Sequence, residues 1–162
     1  MQVIDDDTID ALRSFVVEAH AVGYAGIDRA PIDRAEDGVT VIRHQRASWA
    51  FADRFVGGDP FSGLEVVWYR GRPIFSMAYY GATAEPADPG VVFPFLREAL
   101  QAPDPQRPMR GPRRLQRGPW SYQMRLTGSL SRFTGGEFIT LQGAEVYRGW
   151  FAGGLVDRRG AL

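Results

Sequence analysis

The sequence has no cysteine and no lysine, and its only histidines are His20 and His44. Without cysteine there are no disulfides, no thiolate nucleophile and no Cys-based zinc or iron–sulfur site. Without lysine there is no Schiff-base or pyridoxal-phosphate anchor and no Walker-type phosphate loop. Two histidines are too few for a His-rich metal site, and no metal or cofactor is expected. No apolar run approaches the ~20 residues of a membrane span. Met1 to Asp10 carries four aspartates and no basic residue, the opposite of a secretory signal. These absences together point to a cytoplasmic protein. Net charge is zero, 19 acids against 19 arginines, so no overall field draws in nucleic acid or an anionic membrane.

The 162 residues that remain are 44% hydrophobic and 23% charged, a globular composition. One domain, 1–162, is the expectation, long enough to bury roughly 70% of the surface exposed by its unfolded chain. Ile9, Leu12, Phe15, Val16 and Ala19 recur at helical spacing and predict a helix from Thr8 to about Val22, with Asp7 or Thr8 as N-cap and Gly23 as terminator. A loop, 24–38, punctuated by Gly26 and Pro31, leads to a short strand at Val39–Arg43. Strands are expected at Trp49–Val56, Leu64–Arg70 and Pro73–Tyr80, then a linker, 81–90, and a second helix from Val91 to Gln101. After a Pro- and Arg-rich loop, 103–119, strands at Trp120–Thr127, Glu137–Leu141 and Glu145–Phe151 close the chain.

The two halves resemble each other. Phe15 and Glu18 answer Phe95 and Glu98, Trp49 answers Trp120, Arg54 answers Arg125, Glu65 answers Glu137 and Gly71 answers Gly143, in one order and at nearly constant offsets. The expected fold is α+β: two pseudo-symmetric helix-plus-three-strand units, 11–81 and 91–153, forming a curved antiparallel sheet or barrel-like core. Such a pair can enclose a pocket on its shared axis.

Strand alternation sorts candidate site residues into faces. Trp120, Tyr122 and Met124 share an inward face, and Trp49, Phe51 and Phe55 do so in the first half, with Asp53 among them. A carboxylate surrounded by aromatics has its charged form disfavoured, which suits it to acid–base work. Otherwise Asp53 caps a turn or pairs with a buried arginine. Glu65 and Glu137 each follow a glycine by two residues and precede apolar positions at even spacing. As equivalent groups they could converge as acid and base, or as oxygen ligands for a cation; otherwise they make local ion pairs, Arg54 to Glu65 and Arg125 to Glu137. Trp49, Phe51, Trp68, Tyr79, Trp120 and Tyr122 are the expected aromatic lining. Arg107, Arg110, Arg113, Arg114 and Arg117 fall within eleven residues without an acid, an anion site or a solvated loop. Arg110 is the arginine expected to reach inward. His20 and His44 have no nucleophile motif beside them and read as structural.

Several runs carry a family resemblance: Asp53-Arg54-Phe55-Val56-Gly57-Gly58, Phe61-Ser62-Gly63-Leu64-Glu65-Val66-Val67-Trp68, Met77-Ala78-Tyr79-Tyr80-Gly81, Arg110-Gly111-Pro112 and Phe133-Thr134-Gly135-Gly136-Glu137. With these the chain resembles an uncharacterised bacterial family, the domain of unknown function numbered 5680, from about residue 11 to 157. The resemblance implies a domain found alone or behind a helix-turn-helix module in regulators; with about seven residues before the first helix, the stand-alone form is expected here. The family pattern has an asparagine where this sequence has Ala78, which implies a different ligand if that amide binds one. Two functions follow as expectations. One is a small-molecule-binding domain with an aromatic-lined, carboxylate-containing pocket. The other is a small cofactor-independent enzyme, a cyclase, isomerase or hydrolase, using Asp53, Glu65 and Glu137. A small-molecule ligand is the expected partner, with no membrane or nucleic acid, and a homo-oligomer is compatible with the sequence.

Overall fold

A computed structural model describes residues 4–26 and 32–157; Pro31 and part of the predicted loop 24–38 lie outside the described residues. Helix α1, Asp6–Val22, starts two residues earlier than the apolar spacing implies, because Asp5 is the N-cap and its carboxylate accepts from the Thr8 amide at 2.8 Å. Asp6 and Asp7 in the first turn complement the positive helix end. Its buried stripe is Leu12, Phe15, Val16 and Ala19, and it ends at Gly23. Helix α2, Pro89–Leu100, is capped by Asp88, with Pro89 at the first helical position, where its missing N–H costs no hydrogen bond. Val92, Phe95, Leu96, Ala99 and Leu100 form its buried side.

Nine strands make up the rest: β1 (Ile32–Arg34), β2 (Thr40–Arg46), β3 (Trp49–Gly57), β4 (Phe61–Tyr69), β5 (Arg72–Thr83), β6 (Arg114–Arg117), β7 (Trp120–Ser129), β8 (Arg132–Leu141) and β9 (Ala144–Leu155). They form one antiparallel sheet in the order β1-β2-β3-β4-β5-β9-β8-β7-β6. Among the described residues β1 and β6 are edges, so the sheet is open and the expected barrel-like alternative is corrected. Its class is α+β. Two short strands went unread in the sequence. β1 and β6 carry three or four residues each, too few to show an alternation, and β6 lies inside the segment read as an Arg-rich loop.

The registers put Asp53, Glu65 and Met77 side by side across β3, β4 and β5. They put Met124, Glu137 and Gly149 side by side across β7, β8 and β9. Both rows lie on the sheet face that the helices cover. Phe15 of α1 packs on Trp49 at 5.4 Å between ring centres, and Phe95 of α2 packs on Trp120 at 5.3 Å. Among the described residues no helix covers the opposite face. There Leu64, Tyr80 and Trp150 are 43%, 46% and 50% exposed, and Tyr80 stacks against its cross-strand neighbour Trp150 at 6.1 Å. Trp68 stands on this outer face, since Val67 and Tyr69 take the inner one.

The asymmetry of the sheet predicts an asymmetry of stability. Phe15→Ala removes a fully buried ring and should cost about 3–5 kcal/mol, whereas Trp150→Ala should cost about 1 kcal/mol or less. Urea unfolding of both variants measures the difference, and equal losses would mean that the outer face is not the exposed one.

Candidate functional site

The helix-covered face holds a cavity of about 200 Å³ between α1, α2 and strands β3 to β5. Its wall is mainly aromatic: Tyr24, Phe51, Phe55, Phe61, Tyr79 and Phe93. Its polar groups are His20, Asp53, Glu65 and Arg110. Each comes from a different element. His20 sits on the last turn of α1, one turn beyond Val16 on the buried stripe. Asp53 and Glu65 are direct cross-strand partners on β3 and β4. Arg110 enters from the segment before β6 and, though an arginine, is 7% exposed.

Asp53 is 3% exposed. Its Oδ1 accepts from the Tyr79 hydroxyl at 2.6 Å, and Oδ2 accepts from no protein group among the described residues. Gly63 makes this bond possible, since a Cβ there would lie 2.3 Å from the Tyr79 hydroxyl oxygen. Burial, reinforced by the neighbouring Glu65 charge, pushes the Asp53 carboxyl up to about 7 against the opposing Tyr79 hydrogen bond. Burial and the Asp53 charge together hold the Tyr79 hydroxyl protonated, far above its ordinary range. Glu65 has a partner of its own: its Oε2 lies 2.7 Å from His20 Nε2. Burial alone would lower the His20 pKa, but the charge and hydrogen bond of Glu65 outweigh it and raise it.

A second carboxylate cluster adjoins the first. Glu137 is 1% exposed and fully engaged. Arg110 donates to its Oε1 through Nη2 at 2.5 Å and through Nε at 3.2 Å. The Tyr122 hydroxyl donates to Oε2 at 2.6 Å and the Tyr147 hydroxyl to Oε1 at 3.0 Å. Burial and the Glu137 charge hold both tyrosines protonated. Arg110 joins the clusters, because its guanidinium also lies 5.4 Å from the centre of the Tyr79 ring.

The structure therefore brings Phe51, Asp53, Glu65, Tyr79 and Arg110 together at one cavity. It leaves Trp49, Trp120 and Tyr122 out of the wall: Trp49 packs on Phe15 and Tyr69, Trp120 on Phe95, and Tyr122 on Glu137. Trp68 is on the other sheet face. Glu137 does not line the cavity either, because Arg110 stands in front of it as its ion partner. Neither local pair, Arg54 with Glu65 or Arg125 with Glu137, forms; His20 and Arg110 are the partners. His20 is the residue that sequence reasoning missed. Its signal was a polar side chain in register with an otherwise apolar helix stripe. His44 pairs with Glu18 at the surface of α1. Of the Arg-rich segment, Arg110 turns inward and Arg117 pairs with Glu98. Among the described residues no group of three or more His, Asp or Glu side chains is placed to hold a metal ion.

Two expectations follow. Glu137→Gln strands the buried Arg110 charge and should cost about 3–5 kcal/mol, while adding Arg110→Met should recover about 1–3 kcal/mol of it in a double-mutant cycle. The second concerns pH. The Asp53 pKa is higher folded, about 7, than its ordinary 3.8, so the folded chain binds the extra proton and stability falls as pH rises between those values. His20, whose pKa is also raised, loses its contribution in the same direction above its folded pKa. Asp53→Asn should remove the first component, which over its full span amounts to about 4 kcal/mol, and weaken the second, since the Asp53 charge also raises His20. Denaturant melts of both proteins across this range check it, and parallel pH curves would be the contrary result.

The family model of a domain of unknown function, DUF5680, matches residues 53–156. That span contains every cavity carboxylate and Arg110, but not His20. No curated protein and no solved structure matches the chain.

Proposed function

For this chain, which belongs to the DUF5680 family, we propose the function of binding a small molecule in the cavity beneath α1 and α2. One observation carries the reading. Asp53 is buried at the cavity wall with one oxygen on Tyr79 and the other free, and no cation of its own. A buried carboxylate in that state costs free energy unless it holds a proton or meets a partner, and the cavity is where a partner would sit. The aromatic wall supplies apolar contact, and the cavity exceeds the ~150 Å³ that suffices for benzene in an engineered protein core. A cytoplasmic setting belongs to the same reading, supported by the cysteine-free sequence.

A second reading, a cofactor-independent cyclase, isomerase or hydrolase, is favoured by a specific feature. Asp53, poised near neutrality, stands beside Glu65, whose charge is countered by His20. Two carboxylates in unlike environments are what proton-transfer sites use. Glu137 drops out of this scheme, since four hydrogen bonds from three residues occupy it.

The pocket is also read as the product of duplication. Support comes from matching details at an offset of 72. The β4–β5 and β8–β9 hairpins turn through Arg70-Gly71 and Gln142-Gly143, all with positive φ. Irregularities follow Val67 and Ile139, again 72 apart. Glu65 and Glu137 face Asp53 and Met124 in corresponding registers. On this reading, one copy kept a carboxylate where the other has methionine.

Ligand-observed NMR with a fragment collection tests the binding reading. Hits on the wild type should be lost in Ala25→Leu, which fills the cavity, with the fold checked by circular dichroism. Hits retained unchanged in that variant would place binding elsewhere. In the same samples, conversion of a hit by the wild type and not by Asp53→Asn would establish the enzymatic reading.

A further inference from the structure

Charge at the cavity is unevenly matched. Three buried carboxylates, Asp53, Glu65 and Glu137, face two basic side chains, the buried Arg110 and the part-buried His20. Each cation is already committed: His20 to Glu65 at 2.7 Å, Arg110 to Glu137 at 2.5 Å. Asp53 is the carboxylate left over. The charged groups acting on it are Glu65 from β4, His20 from α1 and Arg110 from the segment before β6; from β5 it has only the neutral Tyr79 hydroxyl. From β2 its cross-strand neighbour is Ile42, which carries no charge. Arg97 of α2 stands by Tyr24, half-buried, and is not among the groups acting on Asp53.

The cavity on the side of this free oxygen is lined largely by aromatic side chains. Phe51 and Phe55 flank Asp53 on its own strand, and Tyr79 and Phe61 complete that side. A carboxylate among aromatic rings in a largely buried cavity is an arrangement suited to an organic cation: the rings attract its positive charge and the carboxylate supplies the counter-ion. A neutral ligand would leave Asp53 to hold its own proton. An anionic ligand would bring a further negative charge beside Asp53 and Glu65, where His20 and Arg110 are already paired and Arg97 stands off by Tyr24.

We propose that the cavity takes a small organic cation, a protonated amine on an aromatic or branched apolar body, with its ammonium group on Asp53 Oδ2 and its body among Phe51, Phe55 and Phe61. This rests on the reading of the cavity as a ligand site. Binding then converts Asp53 to its carboxylate form, so a proton leaves as the ammonium enters. Affinity should rise with pH through the range in which free Asp53 titrates, as long as the amine stays protonated.

Three probes of similar size and different charge test it: benzylammonium, benzyl alcohol and benzoate, titrated into the full chain by calorimetry. Benzylammonium should bind at least about tenfold more tightly than either of the others. Its affinity should weaken as pH falls from about 8 to about 5.5, and binding in the titration range should release protons to the buffer. Asp53→Asn should abolish the preference while benzyl alcohol binds as before. Because the probe comparison and the pH dependence are read on the wild type, the result does not depend on how the variant folds. If benzyl alcohol or benzoate binds as well as benzylammonium or better, the cation proposal falls and the ligand site stands. If none of the three binds, both fall.

Discussion

The buried ion pair between Arg110 and Glu137 is the interaction on which the site depends. Neither charge could stay inside alone, since an unpaired buried ion costs several kcal/mol. Glu137 accepts four hydrogen bonds from Arg110, Tyr122 and Tyr147, so its charge is spread over fixed donors. Those donors come from β7, β9 and the segment before β6, which the pair thereby fastens to β8. The same guanidinium also lies against the Tyr79 ring, and Tyr79 holds Asp53. A chain of contacts thus runs from the second half of the sheet to the cavity in the first half. Hydrophobic packing gives this domain its stability, but this network sets where the polar groups of the cavity stand.

Much of the fold could be read from the sequence because its signals are local. The spacing of Leu12, Phe15, Val16 and Ala19 gives α1, and the alternation around Trp120, Tyr122 and Met124 gives β7 and its inward face. Asp53 among Trp49, Phe51 and Phe55 was legible for the same reason: the side-chain period of two needs no tertiary knowledge. What failed was whatever depends on partners distant in sequence. His20 meets Glu65 across 45 positions, and Arg110, expected to turn inward, meets Glu137 across 27, a choice of partner the sequence does not specify. Nothing within a strand or a helix tells which of two equivalent glutamates will be neutralised by an arginine and which by a histidine. Trp68 is a different case. Alternation alone puts it opposite Val67 and Tyr69, and its aromatic character misdirected the assignment. β1 and β6 were missed because three or four residues cannot display a period.

Glu65 and Glu137 stand in unlike surroundings. Glu137 is saturated by donors and stands behind Arg110, where it orders the structure. Glu65 stands at the cavity wall with a single ionisable partner, His20. The difference follows from neighbours. Opposite Glu137 lies Met124, which offers no charge, and on its other flank Gly149 lacks a side chain, leaving room for Tyr147 and Arg110 to close on the carboxylate. Opposite Glu65 lies Asp53, a second acid, and on its other flank Met77. Two differences in register separate these surroundings: Met77 stands where the other half has Gly149, and Asp53 where it has Met124.

The aspartate works against stability. An aspartate buried beside a glutamate holds its proton to about pH 7, and whenever it ionises without a partner the folded state loses free energy. Apolar residues would fill the same position at no electrostatic cost, as Met124 does in the other half. A fold that is otherwise consistent, with capped helices, an apolar face beneath them and paired buried ions, departs from that consistency at Asp53. Departures of this kind concentrate at sites kept for function rather than for folding. Here the departure coincides with a cavity lined by aromatic rings, and Asp53 has an oxygen that no group among the described residues uses. On the proposed reading of the cavity as a ligand site, the electrostatic cost of Asp53 is offset when a positively charged group meets its free oxygen.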